Sequence, residues 1–209
     1  MRTANLLETR LLIVAVVCVC AALALGAFVS SRTPTRIDVE ATALRGTALP
    51  LALFFTSLGR WPVLLVLAAV AAAGAAATRS NVVLVAIVFA AQVVSQGANA
   101  LVKLLFHRAR PDSWLLIRET DFSYPSGHAV TAVVFFVGFA ILVWHAPLPR
   151  PAAFALVGVL TVCAVGIPWS RIALGAHYLT DVIGGLFVGA AFLSLALIAI
   201  LRTAPTALR

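Results

Sequence analysis

A chain of 209 residues in which 63% are hydrophobic and only 11% are charged is too apolar for a soluble domain, where about a quarter of the residues are charged. The length suits one compact bundle, and we expect residues 1–209 to form a single membrane domain. A formal net charge of +8 could suit nucleic-acid binding, but the basic residues lie between apolar runs without forming a basic stripe, so no nucleic-acid partner is expected.

Six apolar segments follow one another along the chain, most of them close to the ~20 helical residues that cross a hydrocarbon core. They are predicted over residues 11–31, 61–78, 82–106, 128–144, 152–169 and 176–201. A secretory signal peptide is the alternative interpretation of the first, but its apolar run exceeds the ~7–15 residues typical of a signal, which favours a retained helix. The sequence therefore predicts an all-α fold, an integral membrane bundle of six transmembrane helices with both termini on one side.

The connections between these segments carry their own predictions. Residues 32–45 are expected to form a polar loop, residues 46–59 a re-entrant or interfacial piece, and residues 79–81 a tight turn. Gly185 and Gly189 form a small-xxx-small pattern that serves either internal helix packing or dimerisation. Four tryptophans near predicted segment ends are expected to act as interface anchors: Trp61, Trp114, Trp144 and Trp169.

Three polar clusters lie near the ends of predicted segments. They are Lys103 with Arg110, then Ser126 and Gly127 with His128, then Arg171 with His177 and Asp181. The first cluster directly precedes the second, and two crossings separate the second from the third, so all three face one membrane surface. Snorkelling of a side chain explains one such residue at a helix end, but three clusters on one face indicate a site.

His177 and Asp181 are four residues apart, a spacing that places two side chains on one face of a helix, one turn apart. The Asp181 carboxylate would accept the Nδ1–H of His177, which leaves Nε2 free to act as a nucleophile. For this pair taken alone, a buried His–Asp pair with a structural role is the alternative interpretation.

His128 lies at a predicted helix start, directly after Ser126 and Gly127. Gly127 lets the backbone approach a ligand closely, and free N–H groups at a helix start bind anions. Ser126 adds a hydroxyl donor, although serine is also a preferred N-cap residue. We expect His128 to protonate a leaving oxygen and then to activate water.

Lys103, Arg110 and Arg171 supply fixed positive charge of the kind that holds phosphate oxygens and stabilises a phosphoryl group in transfer. With His177 attacking phosphorus to form a phosphohistidine, the clusters make a complete phosphoryl-transfer site. The same face carries no dense carboxylate cluster suited to Mg²⁺ and no His/Cys set spaced for Zn²⁺, so neither a metal nor another cofactor is expected.

These motifs resemble the signature of the type 2 phosphatidic acid phosphatase superfamily, which has three parts. The matching residues are Lys103 and Arg110-Pro111, then Pro125-Ser126-Gly127-His128, then Ser170-Arg171, His177 and Asp181. Every signature position is filled, in the family's order and spacing. The stretch Thr56-Ser57-Leu58-Gly59 is also similar to the bacterial six-helix members.

The resemblance implies a lipid phosphatase that acts on undecaprenyl diphosphate, phosphatidic acid or phosphatidylglycerol phosphate. It places the enzyme in the bacterial cytoplasmic membrane, with the active site on the extracytoplasmic side and both termini in the cytoplasm. The expected partners are the lipid phosphate substrate and membrane lipids. A phosphotransferase, in which an alcohol takes the phosphoryl or phospholipid group, is the alternative, and a transporter or scaffold with a relic site is a third possibility.

A site built from imidazoles and fixed cations should work without a metal. We therefore expect phosphate release from a lipid phosphate to persist in excess EDTA, measured on the purified protein with a colorimetric phosphate assay. Loss of activity that added Mg²⁺ restores would contradict the metal-free site.

Overall fold

The structure is a computed structural model that describes residues 2–30, 34–78, 80–111, 116–117 and 119–205. The side chains of residues 2–5 are not described. Every regular element in these ranges is helical. The elements are α1 (Arg2–Val29), α2 (Arg36–Ala41) with a 3-10 turn (Thr42–Leu44), α3 (Leu49–Leu58), α4 (Trp61–Ala77), α5 (Val82–Phe106), α6 (Gly127–Thr131), a π-helical turn (Ala132–Val137), α7 (Gly138–His145), α8 (Arg150–Ala173) and α9 (Leu179–Thr203). The prediction of an all-helical membrane bundle is confirmed.

Five helical stretches are long and apolar enough to cross a membrane: α1 from Leu6 onward, α5, the continuous run from α6 to α7, α8 and α9. The predicted span over residues 61–78 is α4, whose 17 residues lie at the lower limit of a spanning helix. Arg36–Leu44 and Leu49–Leu58 are apolar enough together, but they meet at a bend of 111°, which fits the re-entrant piece predicted for residues 46–59.

The prediction of a loop over residues 32–45 was wrong for most of its length, because α2 and its 3-10 turn occupy residues 36–44. A capping box starts this helix. The Thr35 hydroxyl accepts from the Asp38 backbone N–H, and the Asp38 carboxylate accepts from the Thr35 N–H. Two orphan N–H groups are thereby satisfied, so even a six-residue helix has a defined start.

The predicted boundary between the last two segments was also wrong. Helix α8 continues to Ala173 and contains Arg171, whereas α9 begins only at Leu179, so His177 lies before the helix and not on it. Gly175 ends α8 because it adopts a left-handed φ of 64°, and the Asp181 carboxylate caps α9 by accepting the Tyr178 N–H at 2.9 Å.

Three smaller predictions complete the comparison. The span predicted from residue 128 begins one residue earlier and includes the π-helical turn, which the sequence did not indicate. Trp61 and Trp144 are partly exposed near helix ends, as interface anchors should be. Trp114, and Arg79 of the predicted turn, lie outside the described residues.

Large apolar side chains fill the centre of the bundle. The cluster includes Phe55, Leu64, Phe135, Phe139 and Ile167, contributed by α3, α4, the π-helical turn, α7 and α8. Apolar side chains are also exposed on the outer faces of α1, α4, α5 and α8, where a soluble protein would carry charge. This outer surface therefore suits hydrocarbon chains as solvent.

Gly185 and Gly189 let α9 lie directly against the helix that begins at Gly127. A methyl group at position 185 would lie 2.4 Å from the Ser126 carbonyl oxygen, and one at position 189 would lie 2.8 Å from Cβ of Val133. The small-xxx-small pattern thus serves packing inside the bundle.

Gly185→Ala should destabilise the protein by about 1–3 kcal/mol, because the added methyl group collides with backbone that a side-chain rotation cannot move. The unfolding midpoint in detergent measures this. Gly158→Ala on the exposed face of α8 is the matched control, since its methyl group meets nothing within 4 Å, and it should leave stability unchanged or slightly raised. Equal midpoints for both variants would contradict the packing interpretation.

Candidate active site

A cavity of about 420 Å³ lies between the first turns of α4 and α6, the second half of α5 and the end of α8. Six of the eight predicted site residues line it: Lys103, Arg110, Gly127, His128, Arg171 and His177. The other two are buried beside it, with Asp181 next to His177 and Ser126 directly before Gly127. Three clusters that are distant in sequence therefore meet at one place.

Lys103 and Arg110 share one carboxylate partner, Asp121. The Lys103 ammonium lies 2.8 Å from the Asp121 carboxylate and also donates to the Phe122 carbonyl oxygen. Arg110 donates from Nε to the Asp121 carbonyl oxygen at 2.8 Å and from Nη2 to the Asp121 carboxylate. Two predicted phosphate-binding cations are thus held by one acidic residue in the connection between α5 and α6.

Arg171 has an equivalent partner in Glu119 of the same connection. Its Nη2 donates to the Glu119 carboxylate, and its Nη1 donates to the Thr56 hydroxyl at 2.6 Å. The Arg171 Nε has no protein partner within the described ranges, although it is buried. Arg60 also lines the cavity, so four cations face two carboxylates and leave two positive charges in excess. The cavity therefore suits an anion.

Two opposing effects act on the pKa of the Asp121 carboxyl. Its partial burial raises the pKa, but the hydrogen bond and charge of Lys103, together with Arg110, outweigh burial and hold the pKa well below its usual range. Asp121 is therefore ionised at every physiological pH. Its carboxylate therefore pairs with two of the cations that line the cavity.

His177 contacts Asp181 and Ser123 through Nδ1. The distance from Nδ1 to Asp181 Oδ2 is 3.6 Å, too long for a hydrogen bond, and Ser123 Oγ lies 3.5 Å from the same nitrogen. The i, i+4 helix argument was wrong in its premise, yet the two side chains still face each other. Catalytic hydrogen bonds are often this long without substrate and tighten when it binds.

The other ring nitrogen of His177 faces a cation. Arg110 Nη1 lies 3.3 Å from His177 Nε2, and a guanidinium can only donate, so Nε2 must be the unprotonated nitrogen. Burial, followed by the positive charges of Arg110, Arg171 and Lys103, lowers the pKa of His177 well below its ordinary value. The imidazole is therefore neutral at pH 7, as a nucleophile must be.

Asp181 is held by three donors besides its approach to His177. Its Oδ2 accepts from the Ser123 hydroxyl and from the Tyr178 N–H, and its Oδ1 accepts from Arg108 Nη1. With both oxygens bonded, the carboxylate cannot rotate away from the imidazole. Asp181 is thus fixed in position before any substrate arrives.

His128 enters the cavity from the first turn of α6. Its Nε2 lies 3.1 Å from the Thr56 carbonyl oxygen, and because a carbonyl only accepts, Nε2 carries the proton. Gly59 leaves room for this ring, since a methyl group there would lie 2.5 Å from His128 Cδ2. The Thr56–Gly59 stretch therefore supports both His128 and Arg171.

Ser126 is the N-cap residue of α6 by position, but its side chain makes no capping hydrogen bond. Its backbone N–H donates to the Asp181 carbonyl oxygen at 3.0 Å, whereas its buried Oγ has no partner in the described part of the chain. The hydroxyl is thus left available, which favours the ligand interpretation of Ser126 over the capping one.

Sequence reasoning assigned no role to four polar residues between α5 and α6 that support the predicted ones: Arg108, Glu119, Asp121 and Ser123. All four lie in the connection between α5 and α6, the most polar stretch of the chain. The sequence did indicate two of them, Glu119 and Asp121. Buried cations require anionic partners, and these two acids lie next to the motifs that supply the cations.

Among the described residues, no three or more His, Cys, Asp and Glu side chains come together as metal ligands would. Glu119 and Asp121, the two carboxylates that line the cavity, are already paired with cations. The charged lining is dominated by lysine and arginine, which favours an anionic ligand.

The PAP2 superfamily profile matches residues 81–204, more than half of the chain, and this range contains all three clusters. The crystal structure of a transmembrane PAP2-type phosphatidylglycerolphosphate phosphatase from Bacillus subtilis is similar over 98% of both chains, with a TM-score of 0.68 and 26% sequence identity.

Several curated relatives match parts of the chain. Phosphatidylglycerophosphatase B of Bacillus subtilis is 39% identical over 95 residues, which are 44% of this chain and 45% of that protein. Lipid A 1-phosphatase of Rhizobium johnstonii is 38% identical over 111 residues, 48% of this chain and 41% of that protein. The putative undecaprenyl-diphosphatase YbjG of Escherichia coli is 40% identical over 74 residues, 35% of this chain and 33% of that protein. The matches span less than half the length of each of these relatives.

Asp121→Asn should strengthen binding of phosphate-like anions, because Lys103 and Arg110 lose their shared carboxylate while the side-chain shape is kept. We expect the dissociation constant for orthovanadate, measured by titration calorimetry, to fall about fivefold, equivalent to ~1 kcal/mol for a half-exposed ion pair. Glu40→Gln, which removes an exposed ion pair with Arg36 in α2, is the control and should change nothing. Unchanged or weaker vanadate binding in Asp121→Asn would contradict this account of the cavity.

Proposed function

The chain belongs to the PAP2 superfamily, and we propose that it is a membrane lipid phosphatase that passes a phosphoryl group through His177 to water. One observation carries the proposal: His177 presents an unprotonated Nε2 in a cavity that three buried cations line. A neutral imidazole next to fixed positive charge suits attack on a phosphorus atom whose oxygens those charges hold.

In the first step, the Nε2 lone pair of His177 attacks phosphorus and the bond from phosphorus to the lipid oxygen breaks. His128 gives a proton to that oxygen, so the lipid leaves as an alcohol, or as a lipid monophosphate when the substrate is a diphosphate. The positive charge that develops on the His177 ring is balanced by Asp181, which approaches Nδ1. The product of this step is a phosphohistidine.

In the second step, water attacks the phosphohistidine. His128, now neutral, accepts a proton from the water, the phosphorus–nitrogen bond breaks, and inorganic phosphate leaves with His177 restored. Lys103, Arg110 and Arg171 balance the charge on the three equatorial oxygens in both steps. Each step forms one bond to phosphorus and breaks one, and neither step uses a metal.

The names of the relatives support a substrate in which a lipid carries the phosphate. Trp61, Pro62, Leu64 and Ala100 provide an apolar wall beside the cations, where the lipid next to the phosphate can lie. We propose undecaprenyl diphosphate, phosphatidic acid or phosphatidylglycerol phosphate as the substrate, because each joins a phosphate to a membrane-embedded tail.

We place the enzyme in the bacterial cytoplasmic membrane, with the cavity on the extracytoplasmic side. The bacterial sources of the relatives support the membrane assignment. With six spans, the connections that carry the site lie on the side opposite to both termini, so cytoplasmic termini put the cavity outside. Phosphate would then be released away from the cytoplasm.

His177→Ala should abolish phosphate release from a panel of purified lipid phosphates, by at least about a thousandfold, because the nucleophile is lost. His128→Ala should reduce the rate by about a hundred- to ten-thousandfold, since the acid and base are lost. His145→Ala is the matched control, because His145 is exposed at the end of α7, away from the cavity, and lies against the Ile141 carbonyl oxygen one turn earlier. The activity of this variant should equal that of the wild type.

The reaction with radiolabelled substrate can be stopped rapidly without acid, so that a phosphohistidine survives. Protein-bound radioactive phosphate should then be found in the wild type and not in His177→Ala. Full activity of His177→Ala would overturn the proposed nucleophile. Phosphate transfer that requires an added alcohol would identify a phosphotransferase in place of a phosphatase.

A further inference from the structure

Asp38 is a buried carboxylate far from the motifs in sequence. It lies on α2, where its neighbours Arg36, Ile37, Val39 and Glu40 are exposed while Asp38 itself is 1% exposed. Its Oδ1 accepts from the Thr180 N–H at 2.9 Å and from the Thr180 hydroxyl at 2.9 Å. A short helix from the start of the chain is thus attached to the first turn of α9.

The second oxygen of Asp38 reaches the catalytic carboxylate through Arg108. Arg108 donates from Nη2 to Asp38 Oδ2 at 3.1 Å and from Nη1 to Asp181 Oδ1 at 2.5 Å. The guanidinium is itself buried and lies 4.3 Å from the centre of the Tyr178 ring. Asp38, Arg108 and Asp181 therefore form a buried triad whose last member faces His177.

The charges of this triad explain why a second carboxylate is needed. If Arg108 faced Asp181 alone, the two charges would cancel, and Asp181 would have little attraction left for a positive His177 ring. With Asp38 on the other side of the guanidinium, the triad carries one net negative charge. Asp38 and His177 also line the same narrow crevice.

We propose that Asp38 is a positioning residue of the active site, which holds Arg108 between itself and Asp181 and thereby keeps a negative charge behind His177. The inference rests on the proposed function, because it assigns Asp38 a part in the reaction at His177. It predicts that α2 is required for the rate of the chemical step and not for phosphate binding.

The variants Asp38→Asn, Arg108→Gln and the double variant remove one or both members of the Asp38–Arg108 pair. Asp38→Asn brings the charge of the triad to zero. Arg108→Gln leaves two buried carboxylates without a cation, and because their repulsion favours uptake of a proton by one of them, this variant keeps at least one negative charge. The double variant leaves the one negative charge of Asp181. A more negative triad raises the pKa of His177 and a neutral one lowers it. The acidic limb of the kcat/KM profile reports the pH at which His177 loses its proton. It should shift to lower pH in Asp38→Asn, lie at the same or a higher pH than wild type in Arg108→Gln, and return towards wild type in the double variant.

Other charged groups near His177 and Asp38 stay constant in this series. They are Lys103, Arg110, His128 and Arg171 around His177, and Arg45, which lines the crevice with Asp38. Shifts of the acidic limb therefore report the triad alone.

In Asp38→Asn we also expect kcat to fall roughly ten- to a hundredfold, the size of effect seen when a supporting residue or its geometry is lost. KM and the inhibition constant for vanadate should stay within about twofold, because Lys103, Arg110 and Arg171 are untouched. Glu40→Gln on the exposed side of the same helix is the matched control and should behave as wild type.

A purely structural role of Asp38 would lower the amount of folded protein or kcat without moving the acidic limb, and that result would overturn the proposal. If Asp38→Asn does not fold, the double variant provides the test, because it leaves no unpaired buried cation. Its acidic limb should lie close to that of wild type, and a limb displaced to lower pH would overturn the proposal. Wild-type protein without phosphate release from any lipid phosphate would instead overturn the proposed function. An active wild type with an unaffected Asp38→Asn variant would overturn this inference alone.

Discussion

The site depends on one electrostatic constraint: positive charge that is buried in an apolar bundle has to be faced by negative charge. Lys103, Arg110 and Arg171 are all buried, and taking such an ion out of water costs several kcal/mol even after relaxation. In the absence of substrate, ion pairs with Glu119 and Asp121 offset that cost. On the proposed function, a lipid phosphate would offset this cost in their place, and substrate binding would then be an exchange of anions at three cations that are already in position.

Close helix packing makes this exchange possible at one point. The first turn of α6, which carries His128, can lie against α9 only because Gly185 has no side chain at the crossing. The Ser126 N–H then donates to the Asp181 carbonyl oxygen, which ties the second cluster to the third through the backbone. The geometry of the cavity is therefore set by contacts between helices, and these contacts fix the positions of the charged side chains.

Much of this arrangement could be predicted from the sequence, because it rests on length and spacing. Apolar runs gave the spans, and crossing parity brought Lys103, His128 and His177 to one face. The i, i+4 spacing identified the right partners, His177 and Asp181, for a reason that was wrong. Asp181 caps α9 through the Tyr178 N–H, and this turn of backbone, not a shared helix face, points the carboxylate towards the ring.

Asp38 could not be found in the same way. Its partners Arg108 and Thr180 lie 70 and 142 residues further along the chain, and a single sequence does not reveal such pairs. The capping box of Thr35 and Asp38 is a local signal, but it predicts only a helix start and leaves the second side of the carboxylate unassigned. Only the charge balance of the folded protein indicates a second carboxylate. Arg108 is buried, and Asp181 alone cannot neutralise it and also attract a positive His177 ring.

The four acidic residues around the site differ in how firmly they are held in place. This difference distinguishes two kinds of acidic residue. Asp38 and Asp181 lie on helices, are fully buried, and accept several hydrogen bonds each, so neither can leave its cation at a low cost. Glu119 and Asp121 lie in a connection, and their side chains are 24% and 53% exposed. A carboxylate that orients a nucleophile has to be fixed, whereas one that yields to an incoming phosphate needs water to receive it. On the proposed function, the burial of each acid therefore separates the carboxylates that stay with their cations from those that a phosphate would displace.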